Sequence, residues 1–137
     1  MNINYTAVAL AAVAEFVVGA IWYMPVFGDL WGKIHGFKKM NKVEQKEAQK
    51  QMMPMLAVQF LFTVVTTVAL AKLIVLVPDY SVYSLAIIAW LGFVVPTQVA
   101  AVIFGGTDPK WVLKKILIMA GGSAVCLLVA VAILGAY

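Results

Sequence analysis

Apolar residues fall into four long runs, Ile3 to Met24, Met55 to Val77, Tyr83 to Phe104 and Trp111 to Ala136. At about 1.5 Å of rise per residue, each is long enough as a helix to cross a hydrocarbon layer about 30 Å thick. Only helices and closed barrels satisfy their own backbone in lipid. The pattern therefore predicts an all-α, polytopic membrane protein: four transmembrane helices in one domain over residues 1–137, with spans 3–24, 55–77, 83–104 and 111–136. A polar loop, 29–53, separates the first two runs.

The polar exceptions inside the runs carry most of the information. Glu15 falls roughly 15 Å from either end of the first run. A charge at that depth costs at least about 3 kcal/mol on insertion scales, so the acid should be protonated, paired or turned towards other protein. Lys72, in the second run, can snorkel outward on its long stem; that is the default, and an ion pair with Glu15 is the alternative. The second run also holds Gln59, Thr63, Thr66 and Thr67, and threonines at this spacing are usually satisfied by their own helix. In the third run Pro96 should kink the helix beside Gln98. Gly121-Gly122-Ser123, in the fourth, permits close helix approach within the bundle or between subunits, with a ligand contact as the second reading. Cys126, the single cysteine, reads as core packing.

The loops set the orientation. Hydrophobic residues make up 64% of the chain and charged ones 12%, with a mean hydropathy of +0.99. The formal charge of +4 comes from lysine alone, without any arginine. The first loop and the third loop with the inner end of the fourth span carry every lysine except Lys72, which places both loops in the cytoplasm and both termini outside a cell membrane. Met1 to Thr6 lack the basic residues of a signal peptide, so the first run is expected to be retained as a span. Asn41 with Glu44 forms a capping-box-like start for a helix running from Lys42 into the second span. Lys42, Lys46 and Lys50 make a basic stripe along it, either a solvated face or a contact with anionic lipid. The lipid bilayer is the expected partner of these charges, and nucleic acid is not. On this topology Gln59 and Gln98 lie at similar depth inward of Glu15, with Thr66 and Ser123 near its level, so a polar column from Glu15 inward is geometrically allowed.

Trp22-Tyr23, Pro25, Phe27-Gly28 and Trp31 form a Trp-Tyr-x-Pro-x-Phe-Gly-x-x-Trp string after the first span, followed later by Trp90-Leu91-Gly92-Phe93. With these residues the chain resembles, from end to end, a family of small four-span bacterial membrane proteins of unknown function. The resemblance implies a four-helix membrane fold and no particular activity. Read as residues, Trp22, Tyr23, Trp31 and Trp111 are expected to act as interfacial anchors. Glu15-Phe16-Val17-Val18 against Gly92-Phe93-Val94-Val95, and Val26-Phe27-Gly28 against Ile103-Phe104-Gly105, repeat at a constant offset, the pattern of two parallel helical hairpins.

No phosphate-binding glycine loop, metal-spaced His/Cys cluster or Ser-His-Asp set occurs, and His35 stands among lysines. The expectation is therefore a non-enzyme without cofactor or metal. Two functions remain open: a small proton- or cation-linked transport or channel module centred on Glu15, acting on a small ion or solute, and a non-transporting scaffold in which the acid and glutamines tie helices together. Both are expected to work as a homo-oligomer, since four short-looped spans enclose little interior.

Overall fold

The computed structural model describes residues 3–137. Helix α1, Tyr5–Ile21, starts where the Asn4 side chain accepts from the Ala7 N–H at 3.1 Å, filling one of the orphan donors of a helix start. It runs into a π-helical turn, Trp22–Val26, that contains Pro25. Short α2, Gly28–Ile34, and a 3₁₀ turn, Phe37–Lys39, lead to α3, Lys42–Leu76, one continuous helix of 35 residues. Asn41 caps α3: its Oδ1 accepts from the Glu44 N–H and its Nδ2 donates to Glu44 Oε1, both at 2.8 Å. The capping-box reading thus holds, and the polar first loop is in part the projecting first turns of the second span.

The third span is built in three pieces: α4 at Val82–Ala89, a π turn at Trp90–Val94 and α5 at Val95–Phe104. Pro96 has no N–H for the ladder, and the Val95 N–H returns to the Trp90 carbonyl, five residues back. The expected distortion at Pro96 therefore takes the form of a π turn just before it. A 3₁₀ turn at Pro109–Trp111 opens the last helix, α6, Val112–Ala136. Four helical segments are long and apolar enough to cross a membrane: Tyr5–Val26, Lys42–Leu76, Val82–Phe104 and Pro109–Ala136.

Helices α1 and α6 form the central antiparallel pair, with Cys126 opposite Glu15 and Ile118 opposite Trp22. The face of α1 that is buried consists of Ala7, Val8, Ala11, Ala12 and Glu15. Its alanines let the two backbones approach, which is how helices gain dispersion contacts in lipid, where hydrophobic burial supplies little. Helix α3 packs on α1, and α4 and α5 pack on α6, whereas α3 and α4 touch only slightly. The result is two hairpins joined along α1 and α6.

The apolar core lies towards the end that carries both termini, where Ala11, Leu70, Ala86, Leu127, Ala130 and Val131 meet. There Gly135 faces Val82 so closely that a Cβ would sit 3.1 Å from Val82 Cγ2. Below this core α3 is weakly held. Its buried residues are Thr67, Leu70 and Ala71, supplemented by an edge contact of Phe60 on Phe16 with centroids 5.5 Å apart.

Candidate functional site

Glu15 is carried inward on the alanine face of α1 and is 4% exposed. Thr67 of α3, fully buried, meets it: Thr67 Oγ1 lies 2.5 Å from Glu15 Oε2 and 2.7 Å from the Thr63 carbonyl oxygen. A hydroxyl has one proton to donate, and a carbonyl can only accept. Both bonds therefore close together only when the carboxyl donates to Thr67 and Thr67 donates to Thr63. When Glu15 is a carboxylate, Thr67 turns its proton to Glu15, and the Thr63 carbonyl keeps its helical N–H. The pair accommodates either protonation state without moving a heavy atom. On the third side, Cys126 Sγ of α6 lies 3.5 Å from the Glu15 backbone carbonyl, to which the thiol donates weakly.

The ion pair open to Glu15 in the sequence is not formed: Lys72 is exposed and the acid's side-chain partner is Thr67. Among the described residues the salt bridge is Lys38 to Asp29, at 2.9 Å, in the first loop. There the Lys38 ammonium, through a hydrogen bond and its charge, holds the Asp29 carboxyl below its usual range. No group of three His, Cys, Asp or Glu among these residues is placed to hold a metal ion.

The remaining polar candidates divide into two sets. Gln98 and Ser123 do come together, Ser123 Oγ lying 3.2 Å from Gln98 Oε1 as donor, but α6 and a tryptophan absorb them. Gln98 Nε2 donates to the Met119 carbonyl at 3.3 Å, and Trp90 Nε1 reaches the Ala120 carbonyl at 2.8 Å and Ser123 Oγ at 3.1 Å. Gln59 and Thr66, in contrast, are exposed on α3. A polar column running inward from Glu15 is accordingly not assembled within one chain. A 100° step per residue separates Thr66 from Thr67, and it is Thr67 that α3 turns to the acid.

Trp22 is also tied into the bundle: its part-buried indole lies against α6, Nε1 donating to the Ile118 carbonyl at 2.9 Å. Gly121 and Gly122 make this possible. A Cβ at Gly121 would lie 2.8 Å from Trp22 Cζ2, and one at Gly122 would lie 2.9 Å from Trp22 Cδ1. The small-residue patch of α6 is therefore filled by a side chain of its own chain. Each π turn thus opens on a tryptophan whose N–H is spent on an α6 carbonyl, Ile118 for Trp22 and Ala120 for Trp90.

Tyr23, Trp31 and Trp111 lie towards the lysine-bearing end. Trp31 packs on Tyr23 and on His35, with centroids 4.8 and 4.4 Å away. Lys115 stands 5.8 Å over Trp31, a cation–π contact that fastens α2 to the start of α6, while Lys110 and Lys114 flank Trp111 at 5.6 and 5.2 Å within their own segment.

A family model described as "Protein of unknown function (DUF1761)" matches residues 6–135, and the chain belongs to that family. No curated protein and no solved structure matches it.

Proposed function

We propose that this member of the family is one subunit of a small oligomeric membrane module that binds and releases a proton at Glu15 in the course of proton- or cation-linked transport. The observation that carries this reading is the Thr67 hydroxyl standing between the buried carboxyl and the Thr63 carbonyl. A site that must gain and lose a proton in an apolar interior needs a partner for each state, and a rotating hydroxyl supplies both. Proton binding fits better than a bare metal cation, because one carboxyl and one hydroxyl fall short of the six or more oxygens that magnesium or calcium takes. The module is non-enzymatic, resides in the cell membrane with the lysine-bearing end in the cytoplasm, and has both termini outside. The lysine distribution supports that orientation.

A second reading has its own support. Glu15 sits over Ala11 and Ala12 with the Leu70–Leu127 core beyond it, and Gln98 and Ser123 are bound to α6, so the acid can equally serve as a tie between α1 and α3 in a non-transporting scaffold. Flux in liposomes separates the two. With a pH-sensitive dye inside, wild type should move protons in response to an imposed gradient, and Glu15→Gln, which keeps shape and hydrogen bonding, should lose at least tenfold while folding normally. Equal flux from wild type, Glu15→Gln and empty liposomes over a panel of ions refutes transport and leaves the scaffold.

A further inference from the structure

We infer that a second copy of this chain docks along one outward stripe of α3, in parallel and about a two-fold axis normal to the membrane, with Gln59 meeting Gln59 and Thr66 meeting Thr66. This names the interface for the oligomer proposed above and is independent of what Glu15 does.

The stripe is Met55, Gln59, Phe62, Thr66, Ala69 and Leu73, alternating steps of four and three along the helix. All six are exposed: Met55 by 63%, Phe62 by 62% and Leu73 by 39% among the large apolar ones. An apolar repeat averaging 3.5 residues stays on one side of a helix only if two helices wind around each other with a left-handed twist. The face of α3 used within the chain is a different one, that of Thr67, Leu70 and Ala71.

Exposed apolar residues alone would suit lipid equally well. The two polar positions are what select a protein partner. Gln59 and Thr66 are seven residues apart and so occupy the same place in successive heptads. Thr63 and Thr97 each donate to the carbonyl four residues back, at 2.9 and 2.6 Å, and Thr67 has Glu15 as well as its own i−4 carbonyl within reach. Among the described residues, neither the Thr66 hydroxyl nor the Gln59 amide makes a hydrogen bond within the chain. Lipid tails offer these groups nothing, and an unmet polar group in hydrocarbon is expensive. A copy of the same chain inserted in the same orientation brings an identical amide to the same depth, and an amide is self-complementary, donor to acceptor and acceptor to donor. A polar residue at one core position of a coiled pair also fixes register. Charge does not oppose the arrangement: Lys42, Lys46 and Lys50 recur every four residues and drift off the stripe, whose continuation towards Asn41 is Met52, Ala48 and Gln45.

The test is oxidative crosslinking in native membranes of single-cysteine variants made in a Cys126→Ala background. Met55→Cys, Gln59→Cys, Phe62→Cys, Thr66→Cys and Leu73→Cys should give dimer bands, while Leu61→Cys and Ile88→Cys, exposed but off the stripe, should give at least fivefold less. Yields at Leu61 or Ile88 equal to those on the stripe, or no dimer at any position, overturn the proposal, the last meaning that lipid alone covers α3. In a dilution series in detergent, Gln59→Leu should weaken dimerisation by about three- to twentyfold, the span of measured interhelical hydrogen bonds in membranes. An unchanged dissociation constant overturns the amide pairing and the register built on it. Neither readout depends on proton flux, so this interface and the reading of Glu15 fail separately.

Discussion

Replacing Thr67 by valine should show that the buried acid is held by one specific hydroxyl. Thr67 is fully buried, and valine matches its shape and β-branching while removing the oxygen. The Thr63 carbonyl keeps its helical N–H, so the loss falls on Glu15, left without a side-chain partner in apolar surroundings. Stranding a buried polar group costs about 1–3 kcal/mol. If unfolding entropy scales with length as in soluble domains, that lowers the thermal midpoint in detergent by roughly 3–10 °C. Glu15→Leu should cost less, under about 1 kcal/mol, because Thr67 still donates to Thr63 at 2.7 Å and no polar group is stranded. In the Glu15→Leu background Thr67→Val should then be nearly silent, giving a coupling of about 1–3 kcal/mol across the cycle. The four proteins can be compared by tryptophan fluorescence during heating. An equal cost for Thr67→Val with and without the acid would refute the reasoning, since the two side chains would then contribute independently.

Gly122→Ala should destabilise the protein by about 1–3 kcal/mol, since its Cβ must displace the Trp22 ring from 2.9 Å and with it the bond to Ile118. Gly92→Ala, where a Cβ meets nothing within 4 Å, should be neutral or gain up to about 1 kcal/mol in helix propensity; thermal midpoints in the reverse order would contradict this account. For orientation, an impermeant thiol reagent added to intact cells should label Ser81→Cys and not Lys46→Cys, and the opposite result inverts the proposed topology.

The spans were legible in the sequence because hydrocarbon imposes a length and a composition that short-range pattern reveals, and Asn41 with Glu44 marked the start of α3 because capping is local. Glu15 stood out for the same reason, as a charge where none is cheap. Its partner did not. Thr63, Thr66 and Thr67 are alike in a one-dimensional reading, and only the rotation of α3 against α1 chooses Thr67. Trp22 shows the other limit. A tryptophan at a span end suits an interfacial belt, but this one closes a long-range contact whose signal was divided between two places, the ring at Trp22 and the missing side chains at Gly121 and Gly122. Reading those glycines as a cleft sized for an indole needs the antiparallel pairing of α1 with α6. Depth, which can be counted along a helix, groups Gln59 and Thr66 with the interior, whereas the side of the helix they occupy depends on its neighbours.

The helices are unequally secured, and this bears on how a proton at Glu15 could be felt elsewhere. Helix α6 is clamped from two sides by Trp22 and Trp90, whose indoles hold carbonyls two residues apart. Helix α3 has no indole clamp of this kind; it is attached through Thr67, Leu70, Ala71, Ile74 and the edge contact of Phe60. The bond between Glu15 and Thr67 is thus one of the few contacts that fix the rotation of α3 about its axis. Thr66, the next residue along, stands on the proposed seam between copies. Any change in rotation that follows proton loss at Glu15 must appear at Thr66 and, seven residues earlier, at Gln59. A module in which proton loss turns α3 would therefore shift its crosslinking yields between the two edges of the stripe as pH rises, and Glu15→Gln, fixed in the neutral form, would lose that shift. A scaffold in which Glu15 only ties α1 to α3 would keep the wild-type pattern, because the amide preserves the tie.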